Sequence, residues 1–392
     1  MNRLTTPWGD LGLTRFPDHP RETLRAWDAA DEYLLRHLAG TDTEPADLSG
    51  AVAVVGDRWG ALTTALAARR LELPAPGPLV QITDSYLTQR ATRANLARAG
   101  VGEDSVRLRS ARDTPPERID LLLIRVPKSL ALLEDQLHRL APAVHSGTVV
   151  VATGRVTEIH TSTLKLFEQI LGPTTTSLAV RKARLIFCAP APGRARTPGP
   201  WPHRYALPDG IGSMSGRTVV NHAGIFCAER LDIGTRFLLR HLPDRRGPEH
   251  VVDLGCGNGV VGTAMALDNP AARLTFIDES FSAVASAEAT FRENAKPETA
   301  AEFVLGDSLT DVAAGTVDLV VNNPPFHTHQ ATTDATAWRM FTGSRAALRP
   351  GGELWVVGNR HLGYHAKLRR LFGNCETVTS DPKFVILRAV KR

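Results

Sequence analysis

The tetrapeptide Asn323-Pro324-Pro325-Phe326 combines residue types that could hold a flat amino group, and it follows the apolar run 317–322. We interpret that run as a buried strand that stops at the prolines, because proline gives a sheet no amide hydrogen and restricts the preceding residue. The side-chain carbonyl of Asn323 and the backbone carbonyl of Pro324 would offer two acceptors to an NH2 group. Phe326 adds an aromatic face for stacking on a planar ring. All four are candidate catalytic residues, although a proline-terminated loop beside a core phenylalanine would use the same residue types.

A second candidate site lies in the stretch 251–259, where a short apolar run ends in three glycines spaced one residue apart. Gly255, Gly257 and Gly259 can adopt the positive φ of a tight turn and let a ligand touch bare backbone. The glycines alone are a weak signal, because dinucleotide-binding folds and plain turns use similar patterns. Asp253 separates the alternatives, since a carboxylate at this point would bind the ammonium group of an amino acid and repel a pyrophosphate. We therefore predict a site for S-adenosylmethionine.

Two further aspartates follow the next two apolar runs. Asp278 lies about twenty residues beyond the glycines, where an acidic residue binds ribose hydroxyls in nucleoside-binding folds of this type. Asp307 follows the third run and could accept a hydrogen bond from an adenine amine. Each aspartate alone is a helix cap as readily as a ligand. Together, at successive strand ends, they predict a nucleoside site, to which Asn323 at the end of the fourth run would also belong.

The elements that must position these residues are short apolar runs that alternate with segments of helical spacing. This alternation predicts an α/β fold with a parallel, doubly wound sheet. The first half of the chain repeats the order of the second: the run 51–55 corresponds to 251–254, and the run 119–124 corresponds to 317–322. The sequence therefore predicts two tandem copies of one fold.

The copies differ where chemistry is expected, because the first half carries Arg125-Val126-Pro127-Lys128 in place of the Asn-Pro-Pro-Phe segment. This stretch has neither the amide acceptor nor the aromatic face, so the first copy is predicted to have lost catalysis. Arg125 and Lys128, with Arg107 and Arg109, would make its pocket basic and suited to holding RNA. Ordinary surface charges would look the same.

The richest Pro/Gly stretch lies near the middle of the chain and indicates the domain boundary. We predict a first domain at 1–188, a linker at 189–215 and a catalytic domain at 216–392. No acidic residue occurs between Glu168 and Asp209, an interval that contains several basic residues. Such a segment could follow a phosphate backbone or be a solvated linker.

Composition limits the remaining possibilities. The chain has 392 residues, 43% of them hydrophobic, and a net charge of +5, which alone does not indicate a nucleic-acid partner. It has no apolar stretch approaching the roughly 18 to 20 residues that cross a bilayer, and no signal-peptide pattern, so we expect a cytoplasmic protein. Its four cysteines are scattered without a CxxC pair, so neither a disulfide framework nor a metal site is indicated.

Together these motifs resemble the class I methyltransferases that modify exocyclic or amide nitrogens. The similarity is closer to bacterial ribosomal RNA guanine-N2 methyltransferases that have one degenerate and one active Rossmann-like domain. The segments 221–226 and 231–235, and His327 after the tetrapeptide, match signatures of that family. The resemblance implies S-adenosylmethionine as cofactor, a guanine N2 amine of ribosomal RNA as substrate and a degenerate N-terminal domain. It also implies that Phe226 lies over the cofactor, and that His327 contacts the substrate unless it merely caps the turn.

Other functions would use parts of the same pattern. A protein methyltransferase acting on glutamine presents the same NH2 group, but such enzymes usually carry tyrosine where this chain has Phe326 and lack the duplicated domain. A DNA adenine methyltransferase would need a target-recognition region that is not evident. A noncatalytic RNA-binding or ribosome-assembly factor would need a second domain without activity, whereas the motifs there are intact. Two fused copies could form an internal pseudo-dimer, so we expect a monomer.

Overall fold

The chain divides into two compact units, Met1–Pro200 and Trp201–Arg392. The computed structural model describes residues 3–18, 22–41, 43–191, 197–325 and 330–392, with the side chains of the last range described from 335 onward. The division falls inside the predicted linker 189–215. The second half of that segment is not a linker, because His203–Ala206 pairs as an antiparallel strand with Thr218–Asn221.

Strands and helices alternate in both units, as the apolar runs predict. The strands of the first unit are β1 (Arg3–Thr6), β2 (Gly9–Gly12), β3 (Val52–Val55), β4 (Leu79–Thr83), β5 (Arg107–Ser110), β6 (Ile119–Arg125), β7 (Val144–Arg155), β8 (Thr174–Thr176) and β9 (Ala183–Cys188). Its helices are α1 (Ala29–Leu38), α2 (Ala61–Arg70), α3 (Tyr86–Arg98), α4 (Leu130–Leu140) and α5 (Thr161–Ile170). The strands of the second unit are β10 (His203–Ala206), β11 (Thr218–Asn221), β12 (His250–Leu254), β13 (Arg273–Asp278), β14 (Ala301–Leu305), β15 (Val317–Asn322), β16 (Leu348–Asn359), β17 (Glu376–Ser380) and β18 (Phe384–Val390). Its helices are α6 (Ile233–Leu239), α7 (Val260–Asp268), α8 (Phe281–Asn294), α9 (Gln330–Ala347) and α10 (Tyr364–Phe372).

Each unit is built on a seven-stranded sheet, and the two sheets have equivalent strand orders. The orders are β5-β4-β3-β6-β7-β9-β8 and β14-β13-β12-β15-β16-β18-β17. In both sheets the first five strands are parallel, and β9 and β18 run antiparallel to their neighbours. The predicted duplication of one α/β fold is confirmed.

Burial on both faces explains why the central strands read as continuous apolar runs. All four residues of β3 are buried, and alternate side chains of a strand point to opposite faces. Val52 and Val54 accordingly belong to one apolar cluster, and Ala53 and Val55 to another. A sheet covered on both faces leaves its strand ends and the following loops as the places where polar chemistry can occur.

The strand registers identify equivalent positions in the two units. In the second unit, Asn323 follows the last residue of β15 that pairs with β12. In the first unit, Arg125 follows the last residue of β6 that pairs with β3. Arg125 is therefore the structural counterpart of Asn323, as the sequence comparison predicts.

Within the described ranges, no helix combines the length and apolarity that a membrane span requires. Nor do the described side chains include a group of three or more His, Cys, Asp or Glu residues that could hold a metal ion. The four cysteines are free thiols.

Candidate active site

The predicted site residues of the second unit lie along one edge of its sheet. Strands β12, β13, β14 and β15 are parallel, so their carboxyl ends meet at that edge. The register pairs Leu254 with both Ile277 and Asn322, and it pairs Asp278 with Leu305. Residues that directly follow these positions are thereby brought together from distant parts of the sequence.

The glycine turn after β12 requires backbone that other residues rarely adopt. Gly255, Gly257 and Gly259 have φ angles of +71°, +52° and +73°. A Cβ atom at Gly259 would lie 2.6 Å from the Cα of Ala287, so this glycine also permits α7 to pack against α8. At Gly257 a Cβ would meet nothing within 4 Å, so the backbone there is open on that side. The turn thus combines close helix packing at one glycine with bare backbone at another.

Asp253 lies inside the end of β12 and is almost completely buried. Its Oδ2 accepts a hydrogen bond of 2.8 Å from the amide of Gly262 in the first turn of α7. Burial raises the pKa of Asp253 to about 7, although the Gly262 hydrogen bond opposes the shift. Burial therefore favours the neutral form of this carboxyl more than it would for an exposed aspartate.

Asp278 connects the glycine turn to the start of α8. Its Oδ2 accepts from the Gly257 amide at 3.0 Å, and its Oδ1 accepts from the Ser280 amide at 3.0 Å. Burial raises the pKa of the carboxyl, and the backbone hydrogen bonds oppose that shift. Each carboxylate oxygen can accept more than one hydrogen bond, so both keep capacity for a ligand. The predicted binding of ribose hydroxyls stays a prediction that this geometry permits.

Asp307 follows β14 and forms an ion pair with α9. Its Oδ2 lies 3.3 Å from Nη1 of Arg339. The side chains of Asp307 and Arg339 are 17% and 30% exposed, so the pair is partly screened from water. A hydrogen bond from an adenine amine to Asp307 would have to share the carboxylate with this guanidinium.

Asn323 presents an unpaired acceptor at the end of β15. Its Nδ2 donates a hydrogen bond of 2.9 Å to Oγ1 of Thr235 in α6. Its Oδ1 is buried and has no hydrogen-bond partner among the described residues. An unsatisfied buried acceptor is costly, and this one lies at the sheet edge where the other predicted residues meet, so the oxygen is a candidate for a ligand contact.

The residues on either side of Asn323 belong to the end of β15 and to the proline segment that follows it. The Asn322 side chain donates to the carbonyl of Leu254 at 2.7 Å, which fixes the end of β15 against β12. Pro324 is buried and Pro325 is exposed. The predicted roles of Phe326 and His327 fall outside the described residues.

Phe226 lies in the turn that follows β11. The side-chain amide of Asn221 donates to the carbonyl of Ala228 at 2.8 Å and closes this turn. Phe226 is 54% exposed, which is unusual for a phenylalanine. Its predicted contact with the cofactor stays a prediction.

The prediction that Arg125 holds RNA is wrong, because its side chain has no exposed surface. The guanidinium lies 2.8 Å from Asp28, 3.3 Å from Asp31 and 2.9 Å from Glu158. Three carboxylates thus surround it, and a phosphate would have to displace them. Lys128 is exposed, so the structure leaves its predicted RNA contact possible.

Two residues of other elements bond to predicted site residues, and no sequence motif indicates them. Thr235 contacts Asn323 across 88 positions of sequence, and Arg339 contacts Asp307 across 32. The spacing of Asp232 and Thr235 is typical of a helix start, in which the Asp232 side chain caps the Thr235 amide. That local signal indicates the start of α6 and says nothing about Asn323.

The strand order, the glycine turn and the Asn-Pro-Pro segment define the second unit as a class I methyltransferase domain, preceded by a degenerate copy. The family models described as the RLMG N-terminal domain and the methyltransferase small domain match residues 1–192 and 216–388. The chain is 70% identical over 389 residues to "Ribosomal RNA large subunit methyltransferase G" of Streptomyces avermitilis, with 99% of each chain covered. It is 46% identical over 394 residues to the protein of the same name from Stutzerimonas stutzeri, with 100% of each covered. The chain belongs to the ribosomal RNA large subunit methyltransferase G family.

A solved structure supports the fold independently. The T. thermophilus 16S rRNA N2 methyltransferase RsmC, in complex with AdoMet and guanosine, matches 100% of this chain with 97% of its own. The TM-score is 0.74 at 21% sequence identity. The predicted arrangement of two methyltransferase-like domains in one chain is therefore confirmed at the level of the fold.

Proposed function

We propose that this protein transfers the methyl group of S-adenosylmethionine to the exocyclic N2 amine of a guanine in the ribosomal RNA of the large subunit. The assignment to large-subunit RNA is supported by the names of relatives that match the whole chain. The observation that carries the chemistry is the buried, unpaired Oδ1 of Asn323, beside a proline that can offer a backbone carbonyl. Both groups are hydrogen-bond acceptors, and an amine supplies two donors.

The residues at the sheet edge fit the proposed cofactor. Gly255, Gly257 and Gly259 would form its backbone cradle, with open space above Gly257. Asp253 would meet the amino group of its methionine part, and Asp278 has spare acceptor capacity for its ribose. Asp307 would meet the adenine amine, and Phe226 would cover the cofactor. When bound, the cofactor supplies a sulfonium methyl group that needs no further activation.

The protein's task in this reaction is to prepare the nucleophile. The lone pair of an exocyclic guanine amine is delocalised into the ring and is a poor nucleophile. If Asn323 Oδ1 and the Pro324 carbonyl each accept one amine hydrogen, they favour a pyramidal nitrogen and stabilise the positive charge that develops on it. Pro325 restricts the backbone that presents the Pro324 carbonyl. The proton can leave to water after transfer, so a strong general base is unnecessary.

Binding of the base would use the residues after the prolines. We propose that Phe326 stacks on the guanine and that His327 contacts the substrate. The base must be turned out of a helix or taken from an unpaired loop before it can reach a sheet edge. Lys128 of the first unit, which is exposed, stays a proposed contact with the RNA backbone. We further propose that the protein acts as a monomer in the cytoplasm.

The direct test is incubation with radiolabelled S-adenosylmethionine and, separately, naked ribosomal RNA, ribosomal subunits and total protein. We expect label in RNA and, after nuclease digestion and mass spectrometry, N2-methylguanosine at one position. Label only in protein would favour the glutamine alternative, and no label in any fraction would favour a noncatalytic RNA-binding role. The comparison of naked RNA with subunits also identifies the form of the substrate.

The raised pKa of Asp253 leads to a pH-dependent prediction for cofactor binding. Deprotonation of this carboxyl, whose pKa is about 7, creates the negative charge that would attract the cofactor's ammonium. Raising the pH from about 6 to about 7.5 should therefore tighten the Kd for S-adenosylmethionine about fivefold to tenfold. Isothermal titration calorimetry at several pH values measures this trend.

The matched variant Asp253→Asn should bind the cofactor weakly and without this pH dependence, because an amide keeps the acceptor for Gly262 and cannot ionise. Asp244→Asn, at an exposed position, is the control and should behave as wild type. An unchanged pH profile in Asp253→Asn would show that another group causes the dependence.

A further inference from the structure

A chain of hydrogen bonds runs from Asn323 to Thr235 and from Thr235 to Asp232, both outside the sequence motif of Asn323. Its Nδ2 lies 2.9 Å from Oγ1 of Thr235, in the first turn of α6. Oγ1 of Thr235 lies 3.3 Å from Oδ2 of Asp232, which also accepts from the Thr235 amide at 2.9 Å. Asp232 is the N-cap residue of α6. We call these three side chains the Asp232–Thr235–Asn323 relay.

Counting donors sets the direction of the relay. A threonine hydroxyl has one hydrogen to donate, and a carboxylate can only accept. In this structure the Thr235 hydroxyl donates to Asp232, which leaves oxygen lone pairs facing Asn323. Only the NH2 end of the Asn323 amide can bond to them. We infer that the relay fixes which end of this amide faces the substrate, and that Thr235 is a positioning residue for methyl transfer.

The inference rests on the proposed function, because the direction of the amide matters only for a substrate with N–H donors. A half-turn of the Asn323 amide exchanges its oxygen and nitrogen with almost no change of shape, so packing cannot select between the two orientations. In the wrong orientation, an NH2 group would face the amine of the base, donor against donor. The relay removes that possibility, and in this orientation Oδ1 is the atom without a partner among the described residues.

The packing of α6 holds Thr235 in place. Leu238 and Leu239 of α6 are buried in the core of the second unit, and Thr235 itself is 9% exposed. A Cβ atom at Gly234 would lie 3.2 Å from Cε1 of Phe384, so this helix start packs closely against the start of β18. Thr235 is therefore held at a defined position beside the end of β15.

The central test is Thr235→Val, which keeps the β-branched shape and removes the hydroxyl. We expect kcat for RNA methylation to fall about tenfold or more, because a misdirected Asn323 amide no longer aligns the amine. The Kd values for S-adenosylmethionine and RNA, and the unfolding midpoint, should stay close to wild type. Thr235→Ser should restore most of the turnover. Thr342→Val is the matched control, since the Thr342 hydroxyl donates to the Trp338 and Arg339 carbonyls of its own helix.

Asp232→Asn tests the other end of the relay. Asparagine is also a good N-cap residue, so α6 should keep its start. Its amide can donate as well as accept, and it therefore no longer dictates where the Thr235 hydroxyl hydrogen points. We expect kcat to lie between those of the wild type and Thr235→Val. Wild-type turnover in this variant would overturn the part assigned to Asp232.

A double-mutant cycle distinguishes positioning from a separate effect on the fold. If Thr235 acts through Asn323, Thr235→Val should slow single-turnover transfer no further in an Asn323→Ser background. The relay alone would be overturned if the rate effects of Thr235→Val and Asn323→Ser multiplied in the double variant. It would also be overturned if Thr235→Val kept a normal kcat while the wild type was active. Failure of the wild-type chain to methylate RNA would instead reject the proposed function.

Discussion

Replacing Asn323 with alanine is expected to slow methyl transfer about a hundredfold to a thousandfold, the range typical for loss of one preorganised hydrogen-bonding group in an active site. The substitution removes the unpaired Oδ1 that would accept an amine hydrogen. The lone pair of the amine would then stay delocalised in the base, and the developing positive charge would lose a partner. Single-turnover transfer from radiolabelled cofactor to RNA measures the effect on chemistry directly.

Cofactor binding should survive this substitution. The glycine turn and Asp278 are held by their own hydrogen bonds, which do not involve Asn323. Asn294→Ala is a suitable control, because the Asn294 amide donates to the backbone carbonyls of Thr218 and Thr290 and has no other bond among the described residues. Near-normal turnover in Asn323→Ala would contradict the catalytic assignment. A parallel loss of cofactor affinity would mean that Asn323 acts through the cofactor site.

The parts of this site that sequence alone predicts are those with local causes. A buried strand that ends in glycines or prolines is a pattern of neighbouring residues, so β12 with its turn and β15 with Asn323 could be recognised directly. Parallel strands then bring their carboxyl ends to one edge whatever their separation in sequence. The position of Asp278 follows from the same rule.

The surroundings of the predicted residues depend on contacts that leave no local pattern. Arg125 occupies the position that corresponds to Asn323, which predicts a side chain in an open, basic pocket. Its burial depends on Asp28, 97 positions earlier, and Glu158, 33 positions later. Nothing in the residues adjacent to Arg125 indicates these partners, and the same is true of Thr235 for Asn323.

The two units therefore use equivalent positions for different purposes. After β15, Asn323 leaves an acceptor unpaired for a ligand, whereas after β6 Arg125 satisfies three carboxylates of its own unit. The carboxylate beside the glycine turn is, by contrast, bonded internally in both units. In the first unit Asp57, within the turn itself, accepts from the Thr63 amide at 2.8 Å, and in the second Asp253 accepts from the Gly262 amide at the same distance. The change of use is therefore seen after β6 and β15, where Arg125 is bonded within its unit and Asn323 keeps an acceptor unpaired.

Arg125 consequently has a predicted effect on stability. Replacing it with methionine should destabilise the first unit by about 3–5 kcal/mol, since removal of one partner leaves buried charges uncompensated. Asp31, whose burial raises its pKa to about 7, can escape part of the cost by taking up a proton. In the wild type, although burial opposes the shift, the charge of Arg125 and further hydrogen bonds lower the pKa of Glu158 to about 2. The substitution removes the contribution of Arg125, so the Glu158 carboxylate loses that stabilisation in the variant.

The dependence of the free energy of unfolding on acid pH tests this structural role of Arg125. Because the folded-state pKa of Glu158 is lowered, its contribution to stability is present above its unfolded pKa and is lost as the pH falls toward 2. Urea unfolding of the wild type should therefore show this loss of stability between about pH 5 and pH 2, and Arg125→Met should show a smaller one from a lower starting value. Arg118→Met is the control, because Arg118 is 66% exposed and its ion pair with Asp120 is open to solvent. An Arg125→Met protein as stable as wild type, with weakened RNA binding, would return Arg125 to the RNA-contacting role that its burial contradicts.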